Sequence, residues 1–261
     1  MDTQPQVVTV AQEPALGDRI QALIEAVWPA YIQTTWPAGA YDPIDWMGVY
    51  RRWPQFQFAL LDPDSGRLLA GGNAAPLHFE GAAADLPDGG WDWALFTATA
   101  QYEAGTAPNL LCALSITIDP AAQGRGLSGA MVRVMRRLAA EAGFARLVAP
   151  VRPTWKNRYP LIPMAAYAAW TTADGLPFDP WLRTHVRTGG TIVKPCLRSM
   201  SLQATVAGWE ASTGLALPGS GHYVVPDLLA PLQVNRDADR GIYVESNVWV
   251  EHGVGDDMMT R

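Results

Sequence analysis

The sequence predicts a mixed α/β domain, and three stretches of it carry that prediction. Leu16 to Trp28 places apolar residues at helical spacing and stops at Pro29, which indicates an amphipathic helix. Gln55 to Glu80 is typical of a strand, a turn and a second strand. Leu110 to Ile118 is an almost continuous apolar run rich in β-branched residues, as in a buried central strand. A shorter helix is predicted within Pro43 to Pro54.

The second half of the chain continues this alternation of helices and strands. Leu127 to Gly143 repeats apolar side chains along one helical face, with Gly143 as the C-terminal cap, and Phe144 to Val151 follows as a strand. The remaining predicted elements are a helix at Trp181–Gly190, strands at Thr191–Cys196 and Ser199–Gly208, and further strands in the tail. Since no repeat or linker divides the chain, we expect one domain over 1–261, with an insertion at 81–107 and a C-terminal extension from about residue 206.

Composition narrows the possible partners and compartment. A net charge of −6 argues against a dedicated nucleic-acid or anionic-membrane binder. The two cysteines lie in separate apolar runs, which favours neither a disulfide framework nor a cysteine-based zinc site. The N-terminus lacks a signal-peptide pattern, and no window of about 18 uncharged apolar residues occurs. We therefore expect a cytoplasmic protein that uses no metal, and the oligomeric state stays open, a homodimer included.

A glycine-rich stretch from Gln123 to Arg137 fits the dinucleotide pattern G-x-G-x-x-G. A nucleotide-triphosphate loop is excluded because Ala130 and Met131 stand where lysine and a hydroxyl residue are required. A nicotinamide-dinucleotide turn is disfavoured because five residues separate Ile118 from the first glycine and the next strand ends without a carboxylate. A glycine turn that binds nothing remains an alternative.

The wider stretch "SITIDPAAQGRGLSGAMVRVM" resembles the acyl-coenzyme A site of the GCN5-related N-acetyltransferases, whose motif is V-x-P-x-x-[QR]-G-x-G-x-[GA]. Ile118 stands at the valine, Pro120 at the proline and Gln123 at the polar residue, whereas Ser128 replaces the usual glycine or alanine. The resemblance covers roughly residues 5 to 205. It implies a mixed central sheet splayed at the coenzyme A-binding strand, with helices on both faces and an extended C-terminal part.

The resemblance also implies the co-substrate, which is acetyl-coenzyme A or another acyl-coenzyme A. Glycines let successive main-chain N–H groups point at one anion, and the following helix adds the positive end of its dipole. The residues expected to bind coenzyme A are Ile116, Thr117, Ile118, Gln123, Gly124, Arg125, Gly126, Leu127, Ser128 and Gly129.

Acyl transfer to an amine also needs a proton donor for the departing thiolate. The family often uses a tyrosine in the pattern Y-x-x-x-G-F, and the stretch "HVRTGG" places His185 at that position. With an ordinary pKa of about 6.5, His185 would suit the task. Tyr159 and Tyr167 are rival donors because they follow the strand that would line the slot, although Pro160 and Pro163 interrupt the helix expected there.

The sequence therefore predicts an acyltransferase that acts on a small-molecule or acyl acceptor. Two alternatives are a thioester-processing enzyme for a larger acyl-coenzyme A or a carrier-protein thiol, and a non-catalytic acyl-coenzyme A-binding module. Five tryptophans fall in segments expected to surround an acceptor, which predicts a partly apolar or aromatic acceptor; they are Trp91, Trp93, Trp155, Trp170 and Trp181. The basic residues Arg152, Lys156 and Arg158 are interpreted as a solvated loop.

Overall fold

The structure is a computed structural model that describes residues 4–29, 31–32 and 46–254. Within those residues, nine strands form one sheet. They are β1 (Gln6–Thr9), β2 (Gln57–Leu61), β3 (Leu68–Leu77), β4 (Leu110–Ile118), β5 (Arg146–Val151), β6 (Gly190–Ala204), β7 (Gly221–Tyr223), β8 (Leu232–Asn235) and β9 (Arg240–Gly253). The α-helices are α1 (Leu16–Val27), α2 (Gly48–Arg52), α3 (Gly90–Glu103), α4 (Leu127–Glu141), α5 (Met164–Ala168), α6 (Pro180–Arg187) and α7 (Val206–Thr213).

The sheet is mixed because one pair of neighbouring strands is parallel. The strand order is β1-β2-β3-β4-β5-β9-β8-β7, and β6 pairs with the long strand β9. Strands β4 and β5 run parallel, whereas every other pair within the described residues is antiparallel. The central parallel pair therefore joins two antiparallel halves.

The sheet opens between β4 and β5. These strands pair only at Leu111 with Leu147 and at Cys112 with Val148. Just beyond that point, β4 carries a bulge: its register against β3 moves from Ala113 to Ser115, so the residue between them, Leu114, has no partner on β3. A bulge bends its strand. The predicted splayed, mixed sheet is confirmed.

Helices cover both faces of the sheet. Adjacent glycines on β3 show this, because a Cβ on Gly71 would lie 2.8 Å from Ile20 of α1, whereas one on Gly72 would lie 2.8 Å from Met131 of α4. Successive residues of a strand point to opposite faces. Helix α3 shares the α1 face, where the rings of Trp91 and Trp46 lie 5.9 Å apart, and α6 packs beside α4. We call these sides the α1 face and the α4 face.

Most predicted elements are confirmed, with corrections at their ends. The second predicted helix is helical at Gly48–Arg52, while its residues 43–45 lie outside the described part of the chain. The two strands predicted between Thr191 and Gly208 form one irregular strand, β6. That strand ends at Ala204 because the hydroxyl of Thr205 accepts the Gly208 N–H and begins α7, so the predicted strand ending at Gly208 is wrong there.

Two apolar clusters form the core of the part that the structure describes. The larger one lies between the sheet and the helices α1, α3 and α4. The smaller one lies behind β5 on the α4 face and contains Ala149, Val151, Tyr167, Leu182, Val248 and Val250. Across the described ranges, no helix is long and apolar enough to cross a bilayer, and no three His, Cys, Asp or Glu side chains group as a metal site would require.

Candidate functional site

The opening between β4 and β5 leaves two strand edges facing each other without ladder pairing. The unpaired edge of β4 comprises residues 113–118, and the unpaired edge of β5 comprises residues 149–151. The other edge of β5 is paired with β9 along its whole length. Ile116 lies opposite Gly72 and so faces the α4 side, whereas Thr117 lies opposite Gly71 and faces α1. An extended ligand that carries amide groups can hydrogen bond to such edges as a strand would.

A glycine turn lies at the open end of this slot, after the last residue of β4. It connects β4 to α4 and begins with a 3-10 turn over Pro120–Ala122, where the carboxylate of Asp119 accepts the Ala121 N–H at 2.8 Å. Gly124 and Gly126 have φ of +77° and +72°, a left-handed conformation that favours glycine. A Cβ at either position would meet nothing within 4 Å. Glycine is therefore favoured here by the backbone conformation and not by a lack of space for a side chain.

The main chain of the turn is available to an anion. Within the described residues, the N–H groups of Gly124, Arg125 and Gly126 have no hydrogen-bond acceptor. The first N–H groups of α4 are also free of intrahelical partners, and the helix dipole places positive charge there. Residues 123–126 are exposed. This combination suits a phosphate group.

The other residues predicted to bind coenzyme A lie in the first turn of α4. Leu127 is buried under the first turn of α4, Ser128 is half-buried, and Gly129 faces the end of α6, where a Cβ would lie 3.6 Å from Thr188. A side chain at position 129 would therefore be in ordinary van der Waals contact with the end of α6. The structure brings all ten predicted residues together along the slot and its turn.

His185 lies on α6 in a closed environment. It is 3% exposed, its Nδ1 lies 2.9 Å from Nε2 of His252, and the Trp181 ring packs edge-on against it. Burial, and then the neighbouring His252, lowers the pKa of His185 to about 3. Burial, and then the positive charge of Arg136, lowers the pKa of His252 to about 4. The expected ordinary pKa of His185 is wrong, since both rings are neutral at pH 7.

Tyr167 is held by a carboxylate that the sequence analysis missed. Its buried hydroxyl donates to Asp179 Oδ2 at 2.8 Å, and the same carboxylate accepts the N–H groups of Trp155, Trp181 and Leu182. Burial and the charge of Asp179 raise the pKa of Tyr167. The Asp-Pro pair at 179–180 is a typical helix start and was the available signal for Asp179.

Tyr159 differs from both of these candidates. It is half-buried, and its ring packs against Trp170 at 5.0 Å and against Phe178 at 5.9 Å. Its hydroxyl has no hydrogen bond to any residue that the structure describes. These aromatic rings pack on the smaller core cluster, which also touches Ala113 on β4 and includes Ala149 on β5. The cluster therefore borders the slot on the α4 face.

The loop after β5 is not the solvated basic loop that the sequence analysis expected. Lys156 is buried, and its Nζ donates to the carbonyls of Tyr159 and Leu229, while burial lowers its pKa to about 8. Arg152 donates through Nε to the buried carboxylate of Glu245 at 2.9 Å. Only Arg158 fits the expectation, since it is exposed with its guanidinium 4.7 Å from the Trp155 ring centroid.

Comparisons with known proteins agree with this geometry. The chain is 33% identical over 257 residues to the arginine N-acetyltransferase avaD of Aspergillus versicolor, with 88% of this chain and 87% of that protein covered. The loading GNATL domain of CurA from Lyngbya majuscula superposes with a TM-score of 0.59 at 18% identity, over 97% of this chain and 98% of that one. The GphF GNAT-like decarboxylase in complex with isobutyryl-CoA superposes with a TM-score of 0.55 at 16% identity, over 96% of this chain and 100% of that one. No protein-family model matches the chain.

The split sheet and the glycine turn define an acyl-coenzyme A-dependent acyltransferase fold. The similarity to an N-acetyltransferase along most of both chains shows the family to which the chain belongs. The chain belongs to the GCN5-related N-acetyltransferase superfamily and is an enzyme of the N-acetyltransferase type.

Proposed function

We propose that this enzyme transfers an acetyl group from acetyl-coenzyme A to a nitrogen atom of arginine or a close arginine analogue. One observation carries the donor half of this proposal: the open edges of β4 and β5 lead directly into a turn with unpaired main-chain N–H groups. The acceptor half is supported by the relative that is an arginine N-acetyltransferase.

The donor would bind mainly to main chain. Its pyrophosphate would accept hydrogen bonds from the N–H groups of residues 124–128, and its pantetheine amides would pair with the open edges at Ile116–Ile118 and at 149–151. Recognition of this kind depends on backbone conformation, and the two left-handed glycines supply it.

In the reaction, the neutral acceptor nitrogen attacks the thioester carbonyl carbon, so a C–N bond forms and the C–S bond breaks. Main-chain N–H groups on the open edge of β4 would stabilise the oxyanion that develops. The nitrogen loses a proton to solvent, and the thiolate takes one from an acid. We assign that acid to Tyr159, since its hydroxyl is not engaged within the described residues, whereas Tyr167 donates to Asp179 and His185 carries no extra proton at neutral pH.

An acceptor panel tests the proposal. The purified protein is incubated with acetyl-coenzyme A and arginine, agmatine, lysine or an aromatic amine, and both thiol release and the mass of the acylated product are measured. We expect acetylated arginine or agmatine, with turnover at least about tenfold above that of lysine. Thiol release without an acylated amine would instead support the thioester-processing alternative, and donor binding without any release would support a non-catalytic module.

A further inference from the structure

Trp91 enters the opening of the sheet from the α1 face. It lies in the first turn of α3, and its indole Nε1 donates to the carbonyl of Leu114 at 2.8 Å. Leu114 is the bulge residue of β4, which has no partner on β3. A side chain therefore supplies the hydrogen bond at the point where the sheet begins to separate.

Hydrogen bonds to β6 fix the main chain around Trp91. The Trp91 main-chain N–H donates to Ser199 Oγ at 2.9 Å, and the next residue, Asp92, accepts the Ser201 N–H at 3.0 Å. Gly90 has φ of +44°, and a Cβ there would collide with Ser199, so only glycine allows this close approach of α3 to β6. Trp91 itself is 6% exposed.

The acyl end of the donor would meet this ring. If the pyrophosphate lies at the glycine turn, the pantetheine arm runs back along β4 from Ile118 towards Leu114. At a rise of about 3.3 Å per residue, these residues are roughly 13 Å apart along the strand. The slot closes immediately beyond Leu114, at the pair formed by Cys112 and Val148. The thioester and its acyl group would then occupy the closed end of the slot.

We propose that Trp91 is a specificity-determining residue: its ring forms the end wall of the acyl chamber and restricts the donor to short acyl groups such as acetyl. The inference rests on the proposed binding of acyl-coenzyme A in the slot. The indole donates to Leu114 and the Trp91 main chain donates to Ser199, so a longer or branched acyl group cannot displace the ring without breaking the contact with Leu114. Trp46, whose ring lies 5.9 Å away, closes the space beside it.

Binding measurements without acceptor test this inference separately from acetyl transfer to arginine. Dissociation constants for acetyl-, butyryl- and isobutyryl-coenzyme A are measured by calorimetry on the wild type and on the Trp91→Leu and Trp91→Phe variants. Trp93→Leu is the matched control, because Trp93 lies on the same helix but packs against Phe79 and Trp249, away from the bulge.

The wild type should bind acetyl-coenzyme A about tenfold more tightly than butyryl-coenzyme A, since overpacking of a rigid pocket has a cost of that order. Trp91→Leu should reduce this ratio to below about threefold, Trp91→Phe should give an intermediate ratio, and Trp93→Leu should keep the wild-type ratio. If Trp91→Leu does not fold, Trp91→Phe decides. Equal wild-type affinities for the three donors, or equal changes in the Trp91 and Trp93 variants, would overturn the inference. If the wild type prefers acetyl-coenzyme A but does not acetylate arginine, the proposed acceptor is wrong and the inference about Trp91 stands.

Discussion

The glycine turn and the buried side chains of His185 and Tyr167 lie on the same side of the sheet, yet they differ in how they are built. The turn offers exposed main-chain N–H groups, and its conformation depends on glycines a few residues apart. The two side chains are instead buried beside polar partners: His185 lies against His252, 67 residues away in sequence, and Tyr167 donates to Asp179, 12 residues away. A main-chain site can thus be inferred from a short motif, whereas the chemical state of a side chain depends on its long-range neighbours.

The largest expected effect concerns the two tyrosines at the border of the slot. Tyr159→Phe should lower kcat by about a hundredfold or more, because it removes the proposed general acid. Tyr167→Phe should leave kcat almost unchanged but lower the free energy of unfolding by roughly 1–3 kcal/mol, because Asp179 loses a buried donor. Thiol release and urea denaturation measure the two effects. An equal loss of turnover in both variants would show that the buried Tyr167 also takes part in the chemistry.

The histidine pair should make stability dependent on pH. The pKa values of His185 and His252 are lowered to about 3 and about 4 in the folded protein, so below the unfolded pKa the unfolded chain binds protons that the folded chain does not. Stability should therefore be complete above about pH 6.5 and fall as the pH decreases, by up to about 2 kcal/mol per histidine at pH 5.

Urea denaturation at pH 7.5 and pH 5 measures this difference. The variant His185→Gln should reduce the pH dependence, and the control His222→Gln, which changes an exposed histidine, should keep it. Identical unfolding free energies of the wild type at both pH values would contradict the proposed neutral pair.

Substitutions at the two glycines that flank α4 can distinguish a loss of ligand binding from general backbone strain. Gly126 precedes α4 and Gly143 follows it, with φ of +72° and +77°, and a Cβ at either would meet nothing within 4 Å. Valine at either position should add a similar strain of roughly 1–2 kcal/mol. We expect Gly126→Val to weaken coenzyme A binding by about tenfold, since relief of the strain would turn N–H groups away from the ligand. Gly143→Val should leave the calorimetric dissociation constant unchanged; an equal loss in both would mean that the turn has no specific role.

The smallest expected effect concerns Arg125, the charged side chain of the turn. It is exposed, and its charge is one of the lesser causes that lower the pKa of Asp62 on the neighbouring hairpin. Arg125→Gln should weaken coenzyme A binding by no more than about fivefold at low salt, and the difference should vanish at high salt. A loss larger than that of Gly126→Val would show that side-chain charge, rather than main chain, dominates phosphate recognition.

The parts of the fold that the sequence predicts are those whose pattern is local. The strand Leu110–Ile118, the glycine turn and the helix Leu127–Glu141 follow one another directly, so apolar periodicity and glycine spacing suffice. The bulge at Leu114 and the Trp91 contact could not be predicted, because they depend on the register against β3 and on how the predicted insertion, 81–107, packs against β4. The lowered pKa of His185 could not be predicted because it results from burial in the folded structure and then from His252, which lies 67 residues away in sequence.

One wall of the slot depends on a strand that is made late. Strand β5 pairs along its whole length with β9, which begins about ninety residues further along the chain. During synthesis, β4, the glycine turn and α4 leave the ribosome long before β9, the strand that pairs with β5, has been made. Contacts of such sequence separation slow folding. We therefore expect the nascent enzyme to acquire its donor site only when β9 inserts beside β5, as one of the last steps of folding.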